Sequence, residues 1–209
     1  MHLSAAVKYF VLDGLMNTGL GIEGAQDPYW KIISIPSGTT GFTAGSNAII
    51  KIPISTWPKA YSKLIGLDAN ANTFFPPGTY IYQLSFASAS YISSSVAVYF
   101  MADDAVTSVT VSDGTVNIKT ITTFSGVNGY MGSCFARFIL SDFGPTTTIL
   151  KFSVLNQFTY SNPTSLLVQF GEFSVIPGCS DPVPCKYKQY HRNNTLLVIY
   201  YCVLLPILS

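Results

Sequence analysis

The chain has 209 residues, enough for one core plus appendages; 48% are hydrophobic, 14% aromatic and only 10% charged. Of its 11 basic residues, Lys186, Lys188 and Arg192 lie near the C-terminus, which leaves 8 against 10 acidic residues in the first 185. A slightly acidic body has no basic footprint for nucleic acid, and low charge with plentiful Ser, Thr, Gly and Asn is the balance of an extracellular or cell-surface β protein, not of a cytosolic enzyme.

At the N-terminus, MHLSAAVKYFVLDGLMNTG lacks the basic start, sustained apolar core and cleavage site of a secretory signal, and reads as a first strand. From Tyr29 to Ile176 short runs rich in Val, Ile, Thr, Tyr and Phe alternate with clusters of Gly, Pro, Asn, Asp and Ser. In order they are YWKIISI, NAIIKIPI, GTYIYQLSFA, SVAVYFMA, VTSVTVS, TVNIKTIT, SCFARFIL, TTILKFSVLN and SLLVQFGEFSVI.

Where alternation is testable, Tyr80, Tyr82, Leu84 and Phe86 share one face, and Leu150, Phe152 and Val154 oppose Lys151 and Ser153. That is the period of half-buried antiparallel strands. SVAVYFMA is apolar on both faces, as a covered central strand is. Residues 56–75 are the least strand-like and read as a long surface connection with a helical turn. With no long 3.6-residue period in competition, the expected fold is all-β: two packed antiparallel sheets in a jelly-roll-like β-sandwich, spanning residues 1–176.

After Pro177 the chain becomes polar and basic over 177–194 and apolar over 195–209, too short a run for a transmembrane helix. Small residues at 178–180, a polar spacer and an apolar tail resemble a lipid-anchor signal; a membrane-proximal anchor and a tail packed on a partner are the alternatives. Asn193-Asn194-Thr195 is a sequon for glycosylation in a secretory pathway. Cys179 and Cys185 are spaced for a small disulfide loop, and Cys134 reads as a buried thiol. With no CxxC and only His2 and His191, zinc has no ligand set.

The candidate site lies in FMADDAVTSVTVSDG, where Asp103 and Asp104 stand between two strands. Two carboxylates supply part of the six to eight oxygens that calcium takes; they are equally the residues of a polar turn. Asp68-Ala69-Asn70-Ala71-Asn72 echoes the opening of a calcium loop but lacks its glycine and closing glutamate, and reads as a solvated loop. Adjacent carboxylates do not straddle a sugar as a glycosidase requires, and both histidines are peripheral, so no catalytic residue is assigned. Trp57, Tyr61, Phe74 and Phe75 offer aromatic faces to a pyranose, Trp57 foremost, whereas Trp30 belongs to the core.

A series of ordered landmarks runs through the body: Asn17-Thr18-Gly19, Asp27-Pro28-Tyr29-Trp30, Trp57, Pro77-Gly78-Thr79-Tyr80-Ile81-Tyr82, Ala102-Asp103-Asp104, Gly126-Val127-Asn128, Leu150-Phe152-Val154-Asn156 and Leu166-Leu167-Val168-Gln169-Phe170. In this order, over about residues 9–175, the chain resembles the extracellular β-sandwich domain of bacterial exosortase-sorted surface proteins, similar in fold to galactose-binding-like jelly rolls. The Pro-Glu-Pro sorting element of those proteins is missing from the tail. Asp103-Asp104 also resembles the calcium-binding pair of protective-antigen-type lectin domains, with Asn128 as third oxygen donor and Ala105 where those domains carry glycine.

The resemblance implies a surface location and a non-catalytic module that binds glycan or extracellular matrix, in which Trp57 is structural; the expected ligand-binding residues are Asp103, Asp104 and Asn128 with Trp57 as the aromatic face, and calcium on Asp103 and Asp104 is the cofactor to test. The other expectation is a structural subunit packing against copies of itself in a surface layer, appendage or viral particle.

Overall fold

A computed structural model describes residues 17–52, 62–70, 72–88, 95–114, 118–128, 136–141, 143, 145–157, 161–171, 185–192 and 195–202, and all elements among them are strands. Ten belong to one sheet: β1 (Gln26–Ser34), β2 (Ser46–Ile50), β3 (Ile65–Gly66), β4 (Gly78–Ala87), β5 (Val96–Asp103), β6 (Ala105–Ser112), β7 (Ile118–Asn128), β8 (Ala136–Leu140), β9 (Thr147–Asn156) and β10 (Ser165–Phe170). Their order is β7-β6-β9-β4-β1-β2-β3-β10-β5-β8, antiparallel at every step. β11 (Cys185–Arg192) and β12 (Thr195–Cys202) form a separate antiparallel pair whose register sets Cys185 opposite Cys202.

The expected periodicity is what makes these strands. Tyr80, Tyr82, Leu84 and Phe86 of β4 and Leu150, Phe152 and Val154 of β9 are buried on one face, each contributing about 1.5–3 kcal/mol by leaving water. The sheet curls over that face. Phe100 of β5 and Phe138 of β8, from one end of the order, pack on Phe152 of β9, third from the other end, with ring centroids 5.5 and 6.4 Å apart. Trp30, fully buried in β1 as expected, meets Phe152 at 5.8 Å. Such tilted aromatic pairs favour this offset over a parallel stack.

Two expectations change in detail. SVAVYFMA forms β5, second from the end of the order; its other face is apolar because Met101 packs with Leu64 and Leu167. The stretch 56–75 does more than connect: Ile65 and Gly66 bridge β2 to β10, and Leu64, Ile65 and Leu67 are buried. Gly66 leaves room for the Lys51 side chain there, since a Cβ would stand 2.4 Å from Lys51 Cε, which would have to shift, and 3.1 Å from the Thr164 carbonyl oxygen. The helical turn expected in this stretch is not formed by its described residues. The N-terminal strand, Trp57, Cys134 and Cys179 lie outside the described residues, apart from 17–19 at the end of the first segment.

Several landmarks prove to be knots of buried hydrogen bonds. β1 is irregular between Gln26 and Lys31, and there Asp27 accepts from the backbone amides of Tyr29 and Trp30 at 3.0 and 3.1 Å and of Gly19 at 2.7 Å. A bulge leaves amides without ladder partners, and this carboxylate supplies them. Thr18 exchanges hydrogen bonds with Val168, while Asn17 Oδ1 accepts from the Phe170 amide at 2.8 Å.

Candidate functional site

β5 ends at Asp103 and β6 begins at Ala105, so Asp104 alone carries the chain from one end of the sheet order to the other; the peptide bond between the two aspartates is cis. Both side chains are buried, 7% and 6% exposed. Asp104 Oδ2 accepts from the Gln157 amide at 2.8 Å and from Asn162 Nδ2 at 3.0 Å. Asn156 Nδ2 in turn donates to the carbonyls of Phe75, Pro76 and Asn162 at 3.0, 3.1 and 3.3 Å. This network ties the β5–β6 junction to the segments around Phe75 and Asn162, which also exchange backbone bonds.

Acceptors outnumber donors here: the carboxamide oxygens of Asn156 and Asn162 are buried without a hydrogen-bond partner. Burial, then the charge and hydrogen bonding of Asp104, push the Asp103 carboxyl up to about 7, with Lys51 pulling the other way. Lys51, only 2% exposed, is brought down to about 8 by burial against the attraction of Asp68 and Asp103. Its Nζ donates a long bond of 3.5 Å to the Asn70 carbonyl and stands 6.0 Å from the Phe75 ring centroid. Burial also raises the Tyr82 hydroxyl well above its ordinary value.

Beside this network opens a cleft of about 320 Å³, lined in part by Thr40, Phe42, Asp68, Thr73, Phe74 and Ser161, with Phe75 and Pro76 in its wall. The volume is at the low end of ligand pockets, about 300–1,000 Å³. Local sequence explains each wall. Gly41, at φ 76°, turns the 36–45 loop so that Phe42 packs back on the core. Asp68 Oδ1 accepts from the Asn70 amide at 2.6 Å, and Asn70 Oδ1 from the Asn72 amide at 2.9 Å. These two successive Asx turns are the solvated-loop reading of that motif. They deliver Phe74, 65% exposed, beside Phe75, 7% exposed.

The expected site residues therefore divide. Asp103 and Asp104 are brought together with Asn156 and Asn162, and the β6–β7 register sets Asn128 opposite Ala105, next to the junction; the Asn128 side chain is not among those described. None of these residues lines the cleft. Among the described residues no three His, Cys, Asp or Glu side chains gather as a metal group, and no helix is long and apolar enough to cross a membrane. Sequence reasoning singled out Phe74 and Phe75 as aromatic candidates, set Asp68 aside as part of a solvated loop and passed over Phe42 and Thr40. Their signal was weak: they lie on two loops far apart in sequence, which only the sheet brings together.

Comparison of the chain with protein-family models, with curated proteins and with solved structures found no match to any of them.

Proposed function

We propose that this chain is a non-catalytic, surface-located binding module of jelly-roll type, and that it takes carbohydrate in the cleft between the 38–42 loop and residues 67–76. The carrying observation is Phe74, an aromatic ring 65% exposed at the edge of a cleft that also holds the Asp68 carboxylate and the hydroxyl residues Thr40, Thr73 and Ser161. An exposed phenyl ring next to acceptors and hydroxyls is what a pyranose uses, stacking its C–H face and hydrogen bonding at its rim. The order of landmarks along the chain supports kinship with the exosortase-sorted surface domains and the galactose-binding-like folds, and a partner in glycan or matrix.

A structural calcium on Asp103 and Asp104 belongs to the same reading. The two buried carboxylates would supply part of the six to eight oxygens that a hard cation takes. The test is a screen of immobilised glycans and matrix proteins against the purified chain and its F74A variant, with and without calcium. Binding lost in F74A supports the reading; wild-type binding to no glycan and no matrix protein overturns it. A calcium-dependent rise in Tm tests the cation separately.

A second reading rests on a different observation. Among the described residues, the 11-residue strand β7 pairs with β6 alone and so ends the sheet on an unpaired edge. Edges of this kind accept a strand from another copy. Self-association measured by scattering at rising concentration tests assembly into a structural array.

A further inference from the structure

Given that the cleft takes carbohydrate, its charge and size narrow the class. We infer that the ligand is an uncharged hexopyranose, bound as a single terminal ring with one face on Phe74 and its hydroxyls on Asp68 and the neighbouring Thr and Ser side chains. The inference rests on the carbohydrate reading and goes beyond it to the sugar.

Asp68 is the one charged residue among the described lining residues. Directly behind that wall lies Lys51, absent from the lining, with its ammonium 6.0 Å from the Phe75 ring centre and attracted to Asp68. Local charge at the cleft is thus one negative group facing the ligand and one positive group buried beneath it. A uronate, sialic acid or sulfated sugar would meet the carboxylate first, at close range and with no cation among the described lining residues to answer it. An ammonium-bearing sugar would gain from Asp68 but oppose Lys51, which already occupies the cation-attracting surroundings of Phe75. An uncharged polyol pays neither cost and still uses Asp68 as a strong acceptor, since hydrogen bonds to an ionised group are the stronger kind.

Size points the same way. A cleft of about 320 Å³ shared between Phe42, Phe74 and Phe75 accommodates one ring, and the exposed edge of Phe74 leaves the rest of a chain in solvent.

The decisive measurement is titration of the full chain, by NMR or calorimetry at pH 6.5, with the methyl glycosides of glucose, galactose and mannose, with methyl glucuronide and with glucosamine, at low and high salt. Expected is binding of at least one uncharged glycoside, at least about tenfold tighter than the glucuronide and glucosamine, with affinity unchanged by salt. F74A should lose about tenfold in affinity at unchanged Tm. D68N keeps an acceptor for the Asn70 turn but removes the charge, and should shrink the preference for uncharged over anionic sugar.

Tighter binding of the charged sugars, or affinity that falls steeply with salt, overturns the inference while leaving the carbohydrate reading in place. Binding of none of these sugars, together with a blank glycan screen, overturns the carbohydrate reading itself.

Discussion

The β5–β6 junction and the cleft lie side by side, yet they spend their polar groups in opposite ways. At the junction, two carboxylates are more than nine-tenths buried and Asp104 is committed to fixed partners; at the cleft, Phe74 is exposed and Asp68 half-buried on a loop of Asx turns. Asn156 joins the two, because the carbonyls it holds belong to Phe75 and Pro76 in the cleft wall. The contrast teaches that conspicuous acidity in a sequence can serve the internal bonding of a chain crossing, while a cleft is lined by less conspicuous loop residues.

The largest expected effect is on the junction and comes from pH alone. Asp103 has its carboxyl raised from 3.8 to about 7 in the fold, so the folded state binds the proton more tightly than the unfolded chain. Its contribution is full below pH 3.8 and is lost as pH rises to about 7, by at most about 4 kcal/mol at 1.36 kcal/mol per unit. Lys51, lowered from 10.5 to about 8, acts in the opposite direction, and stability recovers between those values. Urea unfolding across pH 4–10 should therefore show a minimum near pH 7–8; a curve that rises steadily from pH 4 to 7 would refute the buried-pair account.

D104A comes next. It strands the Gln157 amide and Asn162 Nδ2 in a buried site, at a cost of about 3 kcal/mol, read as a lower urea midpoint. N156A, which releases three carbonyls, should cost about 2 kcal/mol and also weaken sugar binding, since it loosens the wall at Phe75 and Pro76. If N156A destabilises the fold but leaves affinity untouched, the two regions are independent. The smallest effect on stability belongs to F74A, within about 0.5 kcal/mol for an exposed side chain, and there the change is confined to binding.

Much of the fold was legible because its strands obey a two-residue period. Tyr80 to Phe86 and Leu150 to Val154 announce their buried faces, and Trp30 its place among them. The pairing order was not legible, because nothing local in SVAVYFMA says that β5 lies between β10 and β8. Nor was β3, since two residues, Ile65 and Gly66, carry no period at all; their role comes from the strands on either side. For the site, Phe74 and Phe75 could be picked out as aromatics in a loop. That one is exposed and the other buried depends on the bridge between Phe75 and Asn162, a contact across 87 positions of sequence.

The one-residue passage at Asp104 also bears on how the sheet is assembled. Most pairings in this order require distant parts of the chain to meet, and the entropy of closing such loops slows folding. Strands β5 and β6 belong to opposite ends of the sheet but are separated by a single residue. Whichever end pairs first therefore delivers the start of the other at almost no loop-closure cost. An added residue at this point would slacken that coupling, so a glycine inserted after Asp104 should slow refolding more than the same insertion in the 36–45 loop.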